Sequence, residues 1–413
     1  MQIRLLPALA LTALLLTLHT AAPAADWPQW RGPNRDGISR ETGLLTEWPK
    51  TGPALAWRAQ GLGKGYSSVA VVGDRIYTAG DDATASYIRA LDSKGKHVWR
   101  ANLGKPGAAG GYDGTRATPT VDGKLVFMLG QFGDLVCVDA ATGREVWRKD
   151  LKRDFAGQVG GWGYSESLLV DGDRLIVSPG GKGGTVAALN QSTGALLWRT
   201  KNFGDSAEYV SPLLTTIGGV PQYVQLTQQS LVGIEPKTGD LLWRTARRGA
   251  TAVIPTPVQN DDLVFVTSGY GIGCNAFKIT KSPGGFSAEE TYNNKAMVNH
   301  HGGVILLDGH VYGHSDSSGW VCMDFKTGEV KWSNPSVGKG SVTCADGLLY
   351  LRAEGGRGTV ALVEATPAAY REKGRFDQPD RTTKNSWAHP VVANGRLYLR
   401  DQDLLLAYNI KAN

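Results

Sequence analysis

Residues able to do chemistry stand in short segments, each just ahead of an apolar run. Arg116, Trp162, Tyr164, Glu166, Glu208, Tyr209, Asn299, His300, Lys339, Trp387 and His389 are the candidates for ligand or partner contact, with Tyr66 and His301 beside them. Aromatic faces with a few convergent polar groups are what small-molecule and carbohydrate sites use. Arg116, Glu166, His300 and His389 are expected to make the first contacts. The same residues would also serve to fill a wet channel and hydrogen-bond one another. Both readings are open.

Catalytic and metal-binding patterns fail on spacing. His310 and His314 lie four apart on an expected strand, about 13 Å from each other, and cannot share a metal. His300 and His301 would face opposite ways on an extended chain. Ser165, in Gly163-Tyr164-Ser165-Glu166-Ser167, lacks the second glycine of a nucleophile elbow. The glycines from Gly180 to Gly184 lack the following helix that a phosphate loop needs. Cys137, Cys274, Cys322 and Cys344 form no CxxC and no metal-like spacing, and nothing in their spacing demands a disulfide. No catalytic residue and no metal ligand is assigned.

The elements that must position these residues are repeats. Ala90-Leu91-Asp92, Cys137-Val138-Asp139, Ala188-Leu189-Asn190, Gly233-Ile234-Glu235 and Cys322-Met323-Asp324 share one frame. Four of them lead into Thr142-Gly143, Thr193-Gly194, Thr238-Gly239 and Thr327-Gly328, and Lys94-Gly95 takes that place in the first. Four residues after each glycine stands Trp99, Trp147, Trp198, Trp243 or Trp332. Worn copies lead to Tyr292 and Phe376, and a last one, Ala407-Tyr408-Asn409, stops at the C-terminus. From Trp57 to Phe376 the aromatic spacings are 42, 48, 51, 45, 49, 40 and 44 residues.

Strand, tight turn and strand precede each motif, as in Val69 to Val72, Gly73-Asp74, and Arg75 to Thr78. Repeats of 40–50 residues with four strands each mean propeller blades. The expected fold is all-β: one eight-bladed β-propeller of four-stranded antiparallel blades. Residues 53–58, around Trp57, are expected to supply the outer strand that the last blade lacks. Cys137 and Cys322 stand where other blades use Ala or Gly, so they read as small core residues. A short helix is expected at residues 366–374, from Pro367 near its start and Gly374 after its end. The arm around Trp27, Trp30 and Arg31 is expected to strap across the ring.

Composition agrees with that architecture. Glycine makes up 54 of 413 residues with no collagen period, and 41% hydrophobic content excludes a largely disordered chain. The net charge of +6 is spread among both signs, with no run that would mark a nucleic-acid footprint. Arg4, the apolar run from Leu5 to Leu18 and Ala22-Pro23-Ala24 read as a secretory signal cleaved near Ala24 and Ala25. That run falls short of a membrane span, and no transmembrane segment is expected elsewhere. The division is then a signal peptide at 1–24, an N-terminal arm at 25–52 and a single propeller at 53–413, in a periplasmic or secreted protein.

These Ala-Leu-Asp, Thr-Gly and Trp units resemble the tryptophan-docking repeats of the pyrroloquinoline quinone (PQQ)-like propeller superfamily. The resemblance spans the chain after its signal. It includes Asp26-Trp27-Pro28-Gln29-Trp30-Arg31-Gly32-Pro33, Asn299-His300-His301-Gly302-Gly303 and Trp387-Ala388-His389-Pro390 with Arg400-Asp401. It is similar to secreted BamB-like or polyvinyl-alcohol dehydrogenase-like propellers. The superfamily implies either a quinoprotein dehydrogenase with PQQ and calcium over the channel, or a cofactor-free scaffold.

In the dehydrogenases a glutamate in a glycine-rich stretch of an early blade binds the calcium. The matching Ser178-Pro179-Gly180-Gly181-Lys182-Gly183-Gly184-Thr185 has no carboxylate. Their vicinal cysteine pair and Trp-Asp segment are absent as well. The expectation is a non-catalytic binding and scaffold module of the cell envelope, without a cofactor, that meets an envelope protein or a polymer or glycan. The alternatives are a PQQ-dependent alcohol dehydrogenase and a glycan-binding propeller.

Overall fold

A computed structural model describes residues 26–412; the segment read as a signal, 1–24, lies outside them. Eight blades of four antiparallel strands follow one another along the chain, and blade 7 gains a fifth, parallel strand, Ile38–Ser39. Blade 1 comprises Ala70–Val72, Arg75–Asp81, Ser86–Asp92 and His97–Gly104, and blades 2 to 7 repeat the pattern. Blade 8 takes Val391–Ala393, Arg396–Asp401 and Leu404–Asn409 from the C-terminus and Ala54–Ala59 from near the N-terminus. Blades 8 and 1 share one buried cluster containing Val71, Ile76, Leu91, Val391, Tyr398 and Leu405. Among the described residues no helix is long and apolar enough to cross a membrane.

The repeated motif has a local cause. In blade 2 the Asp139 carboxylate accepts bonds from the Thr142 amide and hydroxyl, and Gly143 N–H reaches back to Asp139 O at 2.8 Å. Asn190, Glu235 and Asp324 bracket their Thr-Gly turns in the same way. The outer strand then bulges in every blade. Trp147 pairs with Cys137 and Glu145 with Val138, so Val146 drops out of register. A bulge re-aims the side chains beside it, and the indole turns towards the neighbouring blade. Trp99, Trp147, Trp198 and Trp243 sit opposite Ala90, Cys137, Ala188 and Gly233, and Trp332 sits opposite Cys322. Only a small residue leaves room for the ring there. The four cysteines are buried and unpaired.

Each indole docks on the next blade. Trp57, Trp99, Trp147 and Trp198 donate N–H to the carbonyls of Ser93, Ala140, Gln191 and Pro236 at 2.8–3.0 Å. Their rings cover the turn glycines. Gly143 has φ 73°, and a Cβ there would lie 2.6 Å from the Trp99 ring, so both conformation and space require glycine. Trp57 makes this contact from blade 8 to blade 1. Tyr292 substitutes for the indole in blade 5, donating its hydroxyl to Phe325 O at 2.9 Å. Blade 4 departs from the rule: Trp243 bonds Gln222 of its own blade, because blade 5 replaces the Thr-Gly turn with the long hairpin Gly273–Ser282 and Gly285–Asn294.

Two sequence expectations change. Residues 366–374 are not helical, because Glu372–Phe376 is the outer strand of blade 7 and pairs with Val360–Glu364. Among the described residues the helix that does form is Leu151–Phe155, capped by Asp150, which accepts from the Lys152 and Arg153 amides. Phe376, taken as the worn aromatic of the seventh unit, lies out of register. Gly374 holds the tryptophan position, opposite Leu362. Trp48 of the N-terminal arm fills the gap, packed against Gly374 and 5.3 Å from the Phe376 ring.

The arm begins inside the ring. Trp27 pairs with Val71 of blade 1, Pro28 O accepts from Val121 of blade 2, and Arg35 donates to Ser167 O and Leu168 O before blade 3. Trp30 donates to Thr256, Arg31 donates to Val304 O of blade 6, and Ile38–Ser39 runs parallel to blade 7. The strap expected from sequence therefore lies within the channel as a plug. Trp147→Ala and Trp48→Ala should each lower unfolding free energy by about 3–5 kcal/mol, read by urea denaturation. A loss below about 1 kcal/mol for Trp48→Ala would mean that the arm does not seal blade 7.

Candidate functional site

Above the plug the loops entering the inner strands enclose a cavity of about 170 Å³. An engineered cavity of about 150 Å³ takes up one benzene molecule, so this one holds a single ring. Its floor is Trp30 against His389, ring centroids 4.4 Å apart. Trp387 forms one wall with Tyr66 at 4.6 Å and Tyr112 at 4.8 Å. Trp162 and Tyr209 form another, 6.1 Å apart and edge to face. Tyr270, His300, His301, Arg116, Ser165, Ser167 and Ser211 complete the lining with Ala252 and Ile254.

Of the residues singled out from sequence, Tyr66, Arg116, Trp162, Tyr209, His300, His301, Trp387 and His389 meet here. The others do not line the cavity. Tyr164 is buried and donates to Pro179 O. Glu166 is buried and accepts from the Ser178 amide. Glu208 accepts from the Val253 amide at 3.3 Å. Lys339 pairs with Asp316 at 2.9 Å. Asn299 acts indirectly: its amide bonds Gly303 O and His314 O, and its oxygen accepts from Gly303 N–H. That clamp bends the chain, with Gly303 at φ 68°, so His300 and His301 reach the same cavity and their rings stand 5.2 Å apart. The extended-chain expectation for this pair is thereby corrected.

Sequence reasoning missed four contributors. Trp30 was assigned to packing alone. Tyr112 sits on the hairpin Ala108–Ala109 and Tyr112–Asp113, whose strands are too short for an alternation signal; Gly110-Gly111 was the available cue. Gly110 lies against the Trp162 ring. Tyr270 donates to, or accepts from, His300 Nε2 at 2.9 Å. Glu354 holds His301 Nε2 at 2.5 Å and accepts from the Trp387 indole at 2.9 Å.

Two of the three lining serines, Ser167 and Ser211, stitch the blades. Ser167 Oγ accepts from the Thr118 amide, and Ser211 Oγ from the Ser167 amide. No serine hydroxyl is hydrogen-bonded to an imidazole among the described residues, and Ser68 Oγ donates to the His389 carbonyl at 2.8 Å. The lining carries no carboxylate, and no three His, Cys, Asp or Glu side chains gather to hold a metal among the described residues. Calcium takes six to eight oxygen ligands, carboxylates prominent among them. The residues present do not fit PQQ with calcium.

The family model described as outer membrane protein assembly factor BamB matches residues 84–334. No curated protein matches the chain. Among solved structures, BamB from Moraxella catarrhalis superposes with a TM-score of 0.62 at 17% identity, covering 87% of this chain and 98% of its own. The quinohemoprotein alcohol dehydrogenase from Comamonas testosteroni gives 0.64 at 14%, covering 96% and 82%. A europium-containing methanol dehydrogenase gives 0.52 at 12%, covering 91% and 89%. At these identities the likeness is one of fold.

Burial sets the electrostatics around the cavity. It lowers His300 to about 4, helped by neighbouring His301 and Lys339, and lowers His389 to about 3, helped by Arg31. Burial acts against ionisation of Glu354, but the His301 hydrogen bond and charge, Trp387 and Lys339 outweigh it and bring the carboxyl to about 2. Glu166 and Glu208 go the other way. Burial raises both to about 7, against the Ser178 hydrogen bonds and Arg35 for Glu166 and the Val253 amide for Glu208.

A carboxyl raised from 4.5 to about 7 keeps its proton in the fold after the unfolded chain has lost it. Its contribution to stability therefore falls as pH rises through that window. Glu166→Gln removes this slope. Compared with wild type, the variant should gain stability between pH 5 and pH 8 in urea titrations. A difference that stays constant with pH would show that Glu166 is not held protonated.

Proposed function

The chain belongs to the outer membrane protein assembly factor BamB family, and from that membership we propose that it is an exported, non-catalytic scaffold of the cell envelope. It takes its partner or ligand at the channel mouth. The observation that carries this reading is the aromatic-walled cavity, in which Ser167 and Ser211 accept amides of neighbouring blades and no serine hydroxyl among the described residues bonds an imidazole. Such walls offer apolar area and oriented donors, which suits recognition. Cleavage of a signal near Ala24 and Ala25 would deliver the propeller to the periplasm or beyond. A PQQ-dependent alcohol dehydrogenase is the competing reading, and the carboxylate-free lining weighs against it.

Capture from envelope extract tests the reading. The Trp387→Ala, His300→Ala double variant, with unchanged melting, should lose partners or ligands that the wild-type protein retains. An unchanged set would count against the mouth as the binding surface. Incubation with PQQ and calcium should leave no stoichiometric quinone absorbance after desalting. Retention with dye-linked alcohol oxidation would establish the dehydrogenase instead.

A further inference from the structure

The polar side chains around the cavity are spent mainly on the protein itself. The Trp30 indole donates to Thr256 at 3.1 Å, and the Trp387 indole to Glu354 at 2.9 Å. Tyr270 and His300 Nε2 bond each other at 2.9 Å, and the Tyr209 hydroxyl accepts from the Trp162 amide at 3.3 Å. Ser165 Oγ, His300 Nδ1 and His301 Nδ1 have no partner but are shut off from the free space. What the lining turns towards a ligand is therefore chiefly ring surface.

Arg116 carries the one fixed charge of the lining. Its guanidinium donates to Gln131 Oε1 at 3.1 Å, and Gln131 Nε2 donates to Asp81 Oδ2 at 3.3 Å. Asp81 thus answers the charge from outside the lining, through one side-chain amide. A cationic ligand would be repelled by Arg116, and an anionic one would find that charge already answered. Either would also exchange water for aromatic walls, which disfavours an ion. An uncharged ligand meets none of these obstacles.

The space of about 170 Å³ admits a single ring. Its walls are aromatic and stand at mixed angles. Trp162 meets Tyr209 at 71°, while Trp387 meets Tyr112 at 53° and Tyr66 at 33°. Such walls offer both negative ring faces and positive ring edges. An aryl guest has a face and an edge of its own to match them, and a saturated ring has no such quadrupole. We infer that the mouth takes one uncharged aromatic ring, whether free or borne by a polypeptide. This rests on the reading that the mouth is the binding surface.

Calorimetric titration of the full chain with phenol, indole, cyclohexanol, benzoate and benzylammonium tests the assignment. Phenol or indole should bind one to one, about tenfold more tightly than cyclohexanol. Benzoate and benzylammonium should each bind more weakly than phenol. N-acetyl-tyrosinamide and N-acetyl-tryptophanamide carry the same rings on a peptide unit and separate the two sources. Binding at least as tight as that of the free ring assigns the cavity to a partner's side chain. Weaker binding or exclusion assigns it to a free aromatic molecule. Trp162→Leu should narrow the gap between phenol and cyclohexanol several-fold, and it keeps the backbone bond to Tyr209. Tyr112→Leu, at a position 37% exposed, is the second variant and should act in the same direction.

Cyclohexanol binding as tightly as phenol, or either charged ring binding more tightly, would overturn the inference. So would failure of every probe to bind. If no probe binds but the double variant at Trp387 and His300 still loses envelope partners, the aromatic ring is wrong and the mouth reading stands. If the partners are also unchanged, both fall.

Discussion

The fold depends on an indole from one blade lying over the turn glycine of the next. A lone four-stranded blade has two faces and can bury neither, so its stability is borrowed from its neighbours. The bulge before each tryptophan aims the ring outward, the small residue opposite admits it, and the Thr-Gly turn receives it. Remove any of the three and the other two lose their purpose. Sequence variation follows that logic. Where blade 5 has no Thr-Gly turn, Trp243 turns back onto Gln222 of its own blade. Where blade 7 has Gly374 in place of an aromatic residue, Trp48 arrives from the arm.

Closing the ring creates a second requirement, because eight inner strands surround a channel lined by strand ends. Carbonyls there cannot all be reached by neighbouring blades. The arm meets them with guanidinium groups, which offer five donors in a rigid fork. Arg31 takes Val304 O together with two carbonyls of its own turn, and Arg35 takes Ser167 O and Leu168 O. The cost is desolvation of two charges, which lowers Arg31 to about 10 and Arg35 to about 9. An apolar plug would avoid that cost but leave the carbonyls unpaired. The polar plug also fixes Trp30 against His389, and so turns an open channel into a cavity with a floor.

Legibility in the sequence followed the range of the interaction. In the intact copies the polar residue, Thr and Gly of the turn bond one another within five residues, and together with the aromatic spacings from Trp57 to Phe376 they announced eight units. The closing strand around Trp57 was legible because its motif was missing at the other end of the chain. Trp48 was not, since its partner Gly374 is over 300 residues away and the worn seventh copy pointed to Phe376 instead. The mouth was half legible. Position before an inner strand marks a residue as near the channel, but not which way it faces. Glu166 and Glu208 turned into the wall, whereas the Asn299 clamp brought both His300 and His301 to the cavity. The helix expected at 366–374 had acceptable local signals and lost to strand pairing with Val360–Glu364.

The division of labour in the mouth follows from the same construction. Ser167 and Ser211 sit where a nucleophile would be useful, yet their oxygens accept amides that join blades 2, 3 and 4. Freeing either would open the ring at its narrowest circumference. His389 is pinned by its Nε2 to His301 O at 3.0 Å and kept from protonating by burial. The other polar side chains of the lining, Arg116, His300 and His301, belong to the loops that enter the inner strands. These can vary without disturbing the locks between blades. A propeller built this way can change the lining of its mouth through its entering loops while Ser167 and Ser211 go on holding its centre together.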